Sequence, residues 1–328
     1  MEVQMSPLGD TMTNKLSTNR RTVLKTLGGT AAGGLALAGV GTTAASDGWV
    51  SVETPIDRDV NDVVYASTGA FAVADGGIIL ERTDEGWQTV LQGGVGGNGN
   101  GLVGAAVTDD GDRLWVVGNS GAIGEYDVQS GSLTDHSAPN DVTNNFNGVS
   151  VRGGAGEANV YIAGDSGKVY YSFDNAETFD QTTPGSGSEI NAIDFYGPRS
   201  GNAVDGNQVV FDTDDGSTYD RIGLEDANVN LYGVDGDGAD DVWVSGGGGM
   251  VFHYDGAGWT PADTGDADLR DIEVENGSGY TVGGGGKVYA LSDGAWTEEQ
   301  TPTGANLSAV ALGPTDISVG ASGVILEK

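Results

Sequence analysis

The sequence predicts an all-β fold made of seven repeated sheets, and three observations carry this prediction. One apolar position recurs along the chain at spacings of 38 to 44 residues, from Val60 to Leu307. Each repeat contains four short runs of β-branched, aliphatic and aromatic residues, which is typical of strands. The 58 glycines have no collagen period and therefore indicate many tight turns. Four strands in a unit of this length predict a seven-bladed β-propeller with antiparallel blades.

Two apolar columns define the first, innermost strand of every unit. The first column contains Val60, Leu102, Phe146, Ile190, Leu231, Leu269 and Leu307. The second column lies three residues later, at Val63, Ala105, Val149, Ile193, Val234, Ile272 and Val310. Second strands are predicted at 70–74, 114–118, 160–164, 202–204, 242–245, 280–283 and 317–320. A glycine-rich turn and a third strand follow in each unit, and an aromatic residue opens the fourth strand in six of the seven units.

Residues 241–259 show the unit in its clearest form. The run 242–245 is rich in β-branched and aromatic residues and suits a buried strand. The glycines at 246–249 permit the positive φ that a tight turn needs. Residues 250–254 form the return strand, and a second glycine turn leads to Trp259, which opens the outer strand.

The two ends of the chain predict how the ring closes. The last unit supplies only three strands and ends with Val324, Ile325 and Leu326. We expect Trp49–Glu53 to provide its missing outer strand, which completes the C-terminal blade and removes an exposed sheet edge.

The amino-terminal segment predicts export. Residues 19–25, Asn-Arg-Arg-Thr-Val-Leu-Lys, resemble a twin-arginine signal, and a mildly apolar run at 27–40 follows. That run is too short for a stable membrane span, and the small residues at 43–45 suit a cleavage site. The expected division is therefore a cleaved signal peptide at 1–45 and a propeller at 46–328, with an extracellular or cell-surface location and no membrane insertion after cleavage.

Charge and composition exclude several classes of function. The chain has 48 acidic and 14 basic residues, for a net charge of -34. Such a surface is typical of a protein adapted to molar salt, and it opposes binding to nucleic acid. The absence of cysteine excludes disulfides and thiolate sites. We expect a soluble, halophilic monomer.

Turn motifs carry a resemblance to a known family. Residues 212–219, Asp-Thr-Asp-Asp-Gly-Ser-Thr-Tyr, resemble the Asp-box of BNR-repeat propellers, and residues 172–179 resemble a second copy without the glycine. The wider pattern at 49–328 is similar to photosystem II assembly factor-like propellers. This resemblance implies the propeller fold and a structural role for the Asp-box carboxylates, which accept backbone hydrogen bonds. It does not imply one function, because such propellers serve many roles.

A polar column precedes the first apolar column and forms the first candidate site. Its polar members are Asp59, Asn145, Glu189, Asn230, Asp268 and Asn306, with Gly101 in the remaining unit. Each begins an innermost strand, so together they could ring the channel mouth and bind a cation or a polyol. The alternative is that these residue types simply favour strand starts.

Two further sites are predicted from local motifs. Asp235, Asp237 and Asp241 resemble the ligands of a propeller calcium loop, although Gly233 stands where the first ligand belongs. The alternative is an ordinary acidic loop. Asn276-Gly277-Ser278 is an N-glycosylation sequon in an expected exposed turn, so Asn276 is a candidate modification site.

The sequence favours a binding or assembly module without catalysis and without a cofactor, calcium excepted. The arginines show no clustering for a substrate carboxylate, and only His136 and His253 are present. The expected surface comprises the loops 91–100, 138–144, 183–188 and 223–229, and the partner is an unidentified protein or glycan. The alternatives are an extracellular glycan-acting hydrolase or lyase that uses two channel carboxylates, and a calcium-dependent adhesion module.

Overall fold

The computed structural model describes residues 48–185, 187–224 and 227–328. The signal peptide predicted at 1–45 lies outside these residues. Seven antiparallel sheets of four strands each form the described chain, and in six of them the strands follow in sequence order from the channel outwards. The seven-bladed propeller is therefore confirmed.

The first four blades use strands in simple succession. Blade 1 contains β2 (Val60–Ala66), β3 (Gly69–Ala74), β4 (Ile78–Thr83) and β5 (Gly86–Leu91). Blade 2 contains β6 (Leu102–Val107), β7 (Arg113–Gly118), β8 (Ile123–Asp127) and β9 (Leu133–Asp135). Blade 3 contains β10 (Phe146–Arg152), β11 (Asn159–Gly164), β12 (Val169–Ser172) and β13 (Asp180–Thr182). Blade 4 contains β14 (Ile190–Phe195), β15 (Gly201–Asp205), β16 (Val210–Thr213) and β17 (Asp220–Arg221).

The remaining blades complete the circle. Blade 5 contains β18 (Leu231–Gly238), β19 (Asp241–Gly246), β20 (Met250–Tyr254) and β21 (Trp259–Asp263). Blade 6 contains β22 (Leu269–Glu275), β23 (Ser278–Gly283), β24 (Val288–Ser292) and β25 (Ala295–Glu299). Blade 7 contains β26 (Leu307–Ala311), β27 (Ile317–Gly320), β28 (Ile325–Glu327) and the amino-terminal β1 (Val50–Ser51). Short 3-10 turns lie at Asn119–Gly121, Pro139–Asp141, Gly247–Gly249, Gly284–Gly286 and Ala321–Gly323.

The core lies between neighbouring blades. Trp115 of blade 2, for example, is fully buried in one cluster with Phe146 and Ile162 of blade 3. Each sheet thus buries its apolar residues only because another sheet stacks on it. This requirement explains why the units close into a ring.

Blade 7 closes the ring with the expected amino-terminal strand. Val50 and Ser51 pair with Glu327 and Leu326, and the Val52 N–H donates to the Ile325 carbonyl oxygen at 3.1 Å. The prediction that residues 49–53 complete the last blade is confirmed.

A β-bulge recurs at one position of all seven innermost strands. In blade 1 it lies between Val60 and Asp62, and the same shift follows the first strand residue of every other blade. A bulge inserts one extra residue and re-aims side chains. It explains how two columns three residues apart, such as Val60 and Val63, can both be fully buried despite the two-residue period of a strand.

Candidate binding site at the channel mouth

The seven bulge residues surround one chamber where the innermost strands begin. They are Asn61, Val103, Asn147, Asn191, Tyr232, Arg270 and Ser308. The chamber has a volume of about 490 Å³. We call it the mouth. Because the bulge is common to all blades, the fold itself places one side chain from each blade at this point.

Three of these side chains are asparagines with a shared hydrogen-bond pattern. Each Nδ2 donates to the first-column carbonyl of the next blade: Asn61 to Leu102 at 2.7 Å, Asn147 to Ile190 at 2.9 Å, and Asn191 to Leu231 at 2.6 Å. The carbonyl partner fixes which end of the amide is the donor. No hydrogen bond among the described residues uses the three Oδ1 atoms, so these oxygens remain as acceptors.

Tyr232 and Arg270 form the aromatic and cationic part of the mouth. The Arg270 guanidinium lies over the Tyr232 ring, with Cζ 4.4 Å from its centroid. Its Nη2 is 3.3 Å from the Asp268 carboxylate. The cation is therefore held by a ring face and by one carboxylate at the rim.

A smaller chamber of about 90 Å³ lies below the bulge residues. Ala192 and Ala309 contribute methyl groups to its wall, Gly148 contributes backbone, and Asp62 and Asp271 contribute buried carboxylates. Both carboxylates also accept a backbone N–H from the next blade, Ala105 for Asp62 and Val310 for Asp271, each at 2.9 Å. The small residues thus leave room in this chamber, and the two aspartates supply hydrogen-bond acceptors and negative charge.

The polar column predicted from the sequence only partly lines the mouth. Asp59, Glu189 and Asn306 contribute to it, whereas Asn145, Asn230 and Asp268 are not among the lining residues. Four members of the column, two of which also line the mouth, accept a backbone N–H from a turn of the preceding blade. Asp59 accepts from Ser322, Asn145 from Ser120, Asp268 from Gly248 and Asn306 from Gly285, over 2.8 to 3.4 Å. These residues hold neighbouring blades together, which supports the alternative reading of the column as a feature of strand starts.

The backbone at the same column repeats one hydrogen bond in every blade. Each carbonyl accepts the N–H of the residue beyond the second strand, over 2.9 to 3.2 Å. The four turns that bond to the column contain a residue with φ of +58° to +69°, such as Ser120 and Gly285. Glycine accommodates this conformation without strain, which accounts for the glycine-rich turns of blades 5 and 6.

The predicted calcium ligands have separate partners. Asp235 is buried and accepts the Val274 N–H at 2.8 Å, while Asp241 is paired with His253 at 2.9 Å and with the Trp243 indole N–H at 3.0 Å. In the described parts of the chain, no group of three or more Asp, Glu or His side chains is arranged to hold a metal ion. Calcium binding stays a prediction without support from this geometry.

Burial and like charges alter the titration of Asp237. Burial, and then the carboxylates of Asp241, Asp194 and Glu275, raise its pKa to about 7, and Arg152 lowers it only in part. Asp237 therefore lies in a region of surplus negative charge at the end of the innermost strands opposite the mouth.

The remaining sequence motifs occupy turns. The Asp215 carboxylate accepts the backbone N–H groups of Ser217 and Thr218, both at 2.7 Å. These bonds hold the pKa of Asp215 far below its usual range. Asn276 is exposed in the turn between β22 and β23 with φ of +50°, so the sequon is accessible, and its glycosylation stays a prediction.

The bulge residues were missed in the sequence, although a signal for them exists. A strand that buries positions i and i+3, as at Leu231 and Val234, cannot follow a regular two-residue alternation. The residue after each first-column position is polar or aromatic in six of the seven units. Those two facts together identify the channel-facing position.

The chain matches no protein-family model and no curated protein. Solved structures with a similar fold include YCF48 from Cyanidioschyzon merolae, with 16% identity, a TM-score of 0.68, and coverage of 85% of this chain and 98% of that one. A structure of YCF48 bound to D1 peptide has 13% identity, a TM-score of 0.68, and coverage of 86% and 95%. Virginiamycin B lyase from Staphylococcus aureus has 12% identity, a TM-score of 0.73, and coverage of 85% and 98%. At these identities the similarity shows the propeller fold alone.

The described residues contain no helix that is long and apolar enough to cross a bilayer.

Proposed function

We propose that this protein is an exported, non-catalytic propeller that binds a polypeptide partner at the mouth and the surrounding loops. The observation that carries the proposal is the convergence of seven bulge residues on one chamber of about 490 Å³. Three amide oxygens, a tyrosine ring and a guanidinium offer hydrogen-bond and aromatic contacts of the kind that binding sites use. The structure of YCF48 bound to D1 peptide is a precedent for peptide binding by a protein of this fold.

A side chain that fills the mouth tests the proposal. Ser308 lines both chambers and makes no side-chain hydrogen bond to the described residues, so Ser308→Trp should block the mouth without removing a contact between blades. Thr89→Trp, on the exposed outer strand of blade 1, is the matched control. We expect a partner captured from the culture medium and then purified to bind Ser308→Trp at least about tenfold more weakly than the control, which corresponds to about 1.4 kcal/mol. Equal affinity for both variants would reject the mouth as the binding site.

Export and salt adaptation belong to the same proposal. The twin-arginine motif at Arg20 and Arg21 and the net charge of -34 support them. We expect Arg20→Lys with Arg21→Lys to retain the protein inside the cell, as measured by mass spectrometry of the medium, which would also identify the mature amino terminus. We expect the folded fraction to rise between about 0.1 M and about 3 M KCl as the charge repulsion is screened.

A glycan-acting hydrolase or lyase is the second candidate, and one observation favours it. Asp237 has a pKa of about 7 and neighbouring carboxylates, which suits a general acid near neutral pH. The similar virginiamycin B lyase is an enzyme of this fold. Polysaccharide cleavage that Asp237→Asn abolishes, while Ser308→Trp leaves it intact, would favour this function over partner binding.

A further inference from the structure

We infer that the mouth selects a primary ammonium group, supplied by a lysine side chain of the partner polypeptide. This inference rests on the proposed binding function and specifies the chemistry of its ligand.

Three amide oxygens of the mouth are available to a hydrogen-bond donor. Asn61, Asn147 and Asn191 use their Nδ2 groups to bond the next blade, over 2.6 to 2.9 Å. Each therefore has its acceptor oxygen left for a ligand, and the amides cannot flip without losing a bond between blades. An ammonium group offers three donors and no acceptor, so it can be bonded by acceptors that come from several blades.

The charge of the lining favours a cation. Asp59 and Glu189 line the mouth, and Asp62 and Asp271 line the chamber below it. Arg270 is the one cation among the described lining residues, and it already contacts Asp268 at 3.3 Å and the Tyr232 ring. Carboxylates therefore exceed guanidinium groups in the lining, and a low-dielectric channel concentrates their field at its axis.

The shape of the site favours lysine over other cationic side chains. The lower chamber of about 90 Å³ is narrow, and Val149, Ile193 and Val234 contribute apolar surface to its wall. Lysine has a thin apolar stem and a compact charged end, whereas the planar guanidinium of arginine is wider. A lysine from a docked segment could thus pass the bulge residues with its stem on apolar wall.

Short peptides test the inference directly. The probes are Gly-Gly-Lys-Gly-Gly with blocked ends, the same peptide with Nε-acetyl-lysine, and the same peptide with glutamate, each titrated into the full chain by saturation-transfer NMR. We expect the lysine peptide to bind at least about tenfold more tightly than the acetyl-lysine peptide, because acetylation removes the charge. Equal binding of these two peptides, or tighter binding of the glutamate peptide, would overturn the inference.

Three charge variants test whether the charged residues of the two chambers account for lysine-peptide binding. Glu189→Gln and Asp271→Asn should each weaken lysine-peptide binding about three- to tenfold, and Arg270→Gln should strengthen it, because each changes the lining by one charge. The amide oxygen in Asp271→Asn can still accept the Val310 N–H, so an unchanged melting temperature separates lost charge from lost structure. Glu85→Gln, at an exposed turn of blade 1, is the matched control and should leave binding unchanged. A control variant that weakens binding as much as Glu189→Gln would reject a site at the mouth.

Three further results test this inference and separate it from the proposed function. Displacement of the lysine peptide by methylammonium but not by sodium at equal ionic strength supports ammonium recognition, whereas equal displacement overturns it. If Ser308→Trp blocks the purified partner while the peptides show no preference for lysine, this inference fails and the binding function stands. If the lysine peptide binds but Ser308→Trp leaves partner binding unchanged, the proposed binding function fails.

Discussion

Blade 7, which closes the ring, and the acid end of blades 4 to 6 use carboxylates in opposite ways. In blade 7, Glu327 receives hydrogen bonds from two side chains of blade 1. At the acid end, which we define as Asp194, Asp237, Asp241 and Glu275, carboxylates from three neighbouring blades face one another. The two sets differ in their hydrogen-bond and charge partners rather than in burial, because the carboxylates of both are at least partly buried.

In the closing blade, the negative charge of Glu327 is compensated by hydrogen-bond donors from blade 1. Arg82 donates to it twice, through Nε and Nη2, each at 2.8 Å, and the Trp87 indole N–H donates at 3.0 Å. Burial alone would raise the pKa of Glu327, but the hydrogen bonds from Arg82 and Trp87 outweigh burial and lower it. Ionised Glu327 therefore stabilises the contact between blades 7 and 1.

Asp237 shows the opposite balance. Burial and three like charges raise its pKa to about 7, and the opposing charge of Arg152 offsets this rise only in part. The chain has 48 acids and 14 bases, so cations cannot neutralise every acidic region. The Arg82 guanidinium pairs with Glu327 at the contact between blades 7 and 1. At the acid end, Arg152 offsets the carboxylates only in part, so negative charge remains in surplus. The lesson is that local partners decide whether a carboxylate stabilises or opposes the fold.

The largest expected effect comes from the aromatic residue of the closing blade. Trp49 is buried, bonds Glu299 through its indole N–H at 2.8 Å, and contacts the Tyr280 ring edge to face at 5.2 Å. Trp49→Ala should reduce the free energy of unfolding by about 3–5 kcal/mol, because it removes a large side chain from the blade interface. Urea denaturation measures this change. Trp49→Phe, which keeps most of the volume, should lose much less, and equal losses would show that the hydrogen bond rather than packing dominates.

A smaller loss is expected when Glu327 is neutralised. Glu327→Gln should reduce stability by about 2 kcal/mol near pH 7, because Arg82 loses its charged partner. The pKa of Glu327 is lowered in the folded state, so its contribution is present above about pH 4.5 and is lost as the pH falls through the folded value. The difference between wild type and variant should therefore shrink in acid, as followed by urea unfolding at several pH values. A difference that is constant with pH would contradict the assigned ion pair.

Neutralising Asp237 at the acid end should change the stability of the fold in the opposite direction. The pKa of Asp237 is raised, so the folded state loses stability as the pH rises from about 4 towards 7 and the group ionises. Asp237→Asn removes this cost and should increase stability by about 1–2 kcal/mol at pH 8, after allowance for the partial exposure of the group. The advantage should vanish below about pH 4. Asp293→Asn, in an exposed turn, is the control, and a loss of stability in Asp237→Asn would show that the ionised carboxylate makes a contact the fold needs.

Most of the architecture was predictable because it follows from repetition. The apolar columns indicated the seven units and the innermost strands, and the two chain ends indicated the closing strand, which pairs as expected with Glu327 and Leu326. Strand boundaries agree within a few residues, as β19 (Asp241–Gly246) does with the predicted 242–245. These features depend on burial patterns that recur in the sequence itself.

The sequence indicates a candidate ring at the Asp59 column, two residues before the bulge residues that line the mouth. Four of the six polar side chains in this column accept a backbone N–H from a turn of the preceding blade. The channel-facing residues follow the first apolar column, because a bulge turns them inwards. Without strand pairing, a bulge is indistinguishable from ordinary alternation with one apolar residue out of place.

The sequence by itself determined the number of blades, the order of the strands and the identity of the closing strand, because apolar periodicity and glycine turns are local properties of the chain. Only the tertiary structure decided which polar residues line the same chamber and which carboxylates lie close enough to interact electrostatically. Asn61, Asn191 and Arg270 lie far apart in the chain and meet only when seven bulges close around one axis. The titration of Asp237 likewise depends on Asp194 and Glu275 of neighbouring blades, and electrostatic coupling follows distance in space rather than distance along the chain.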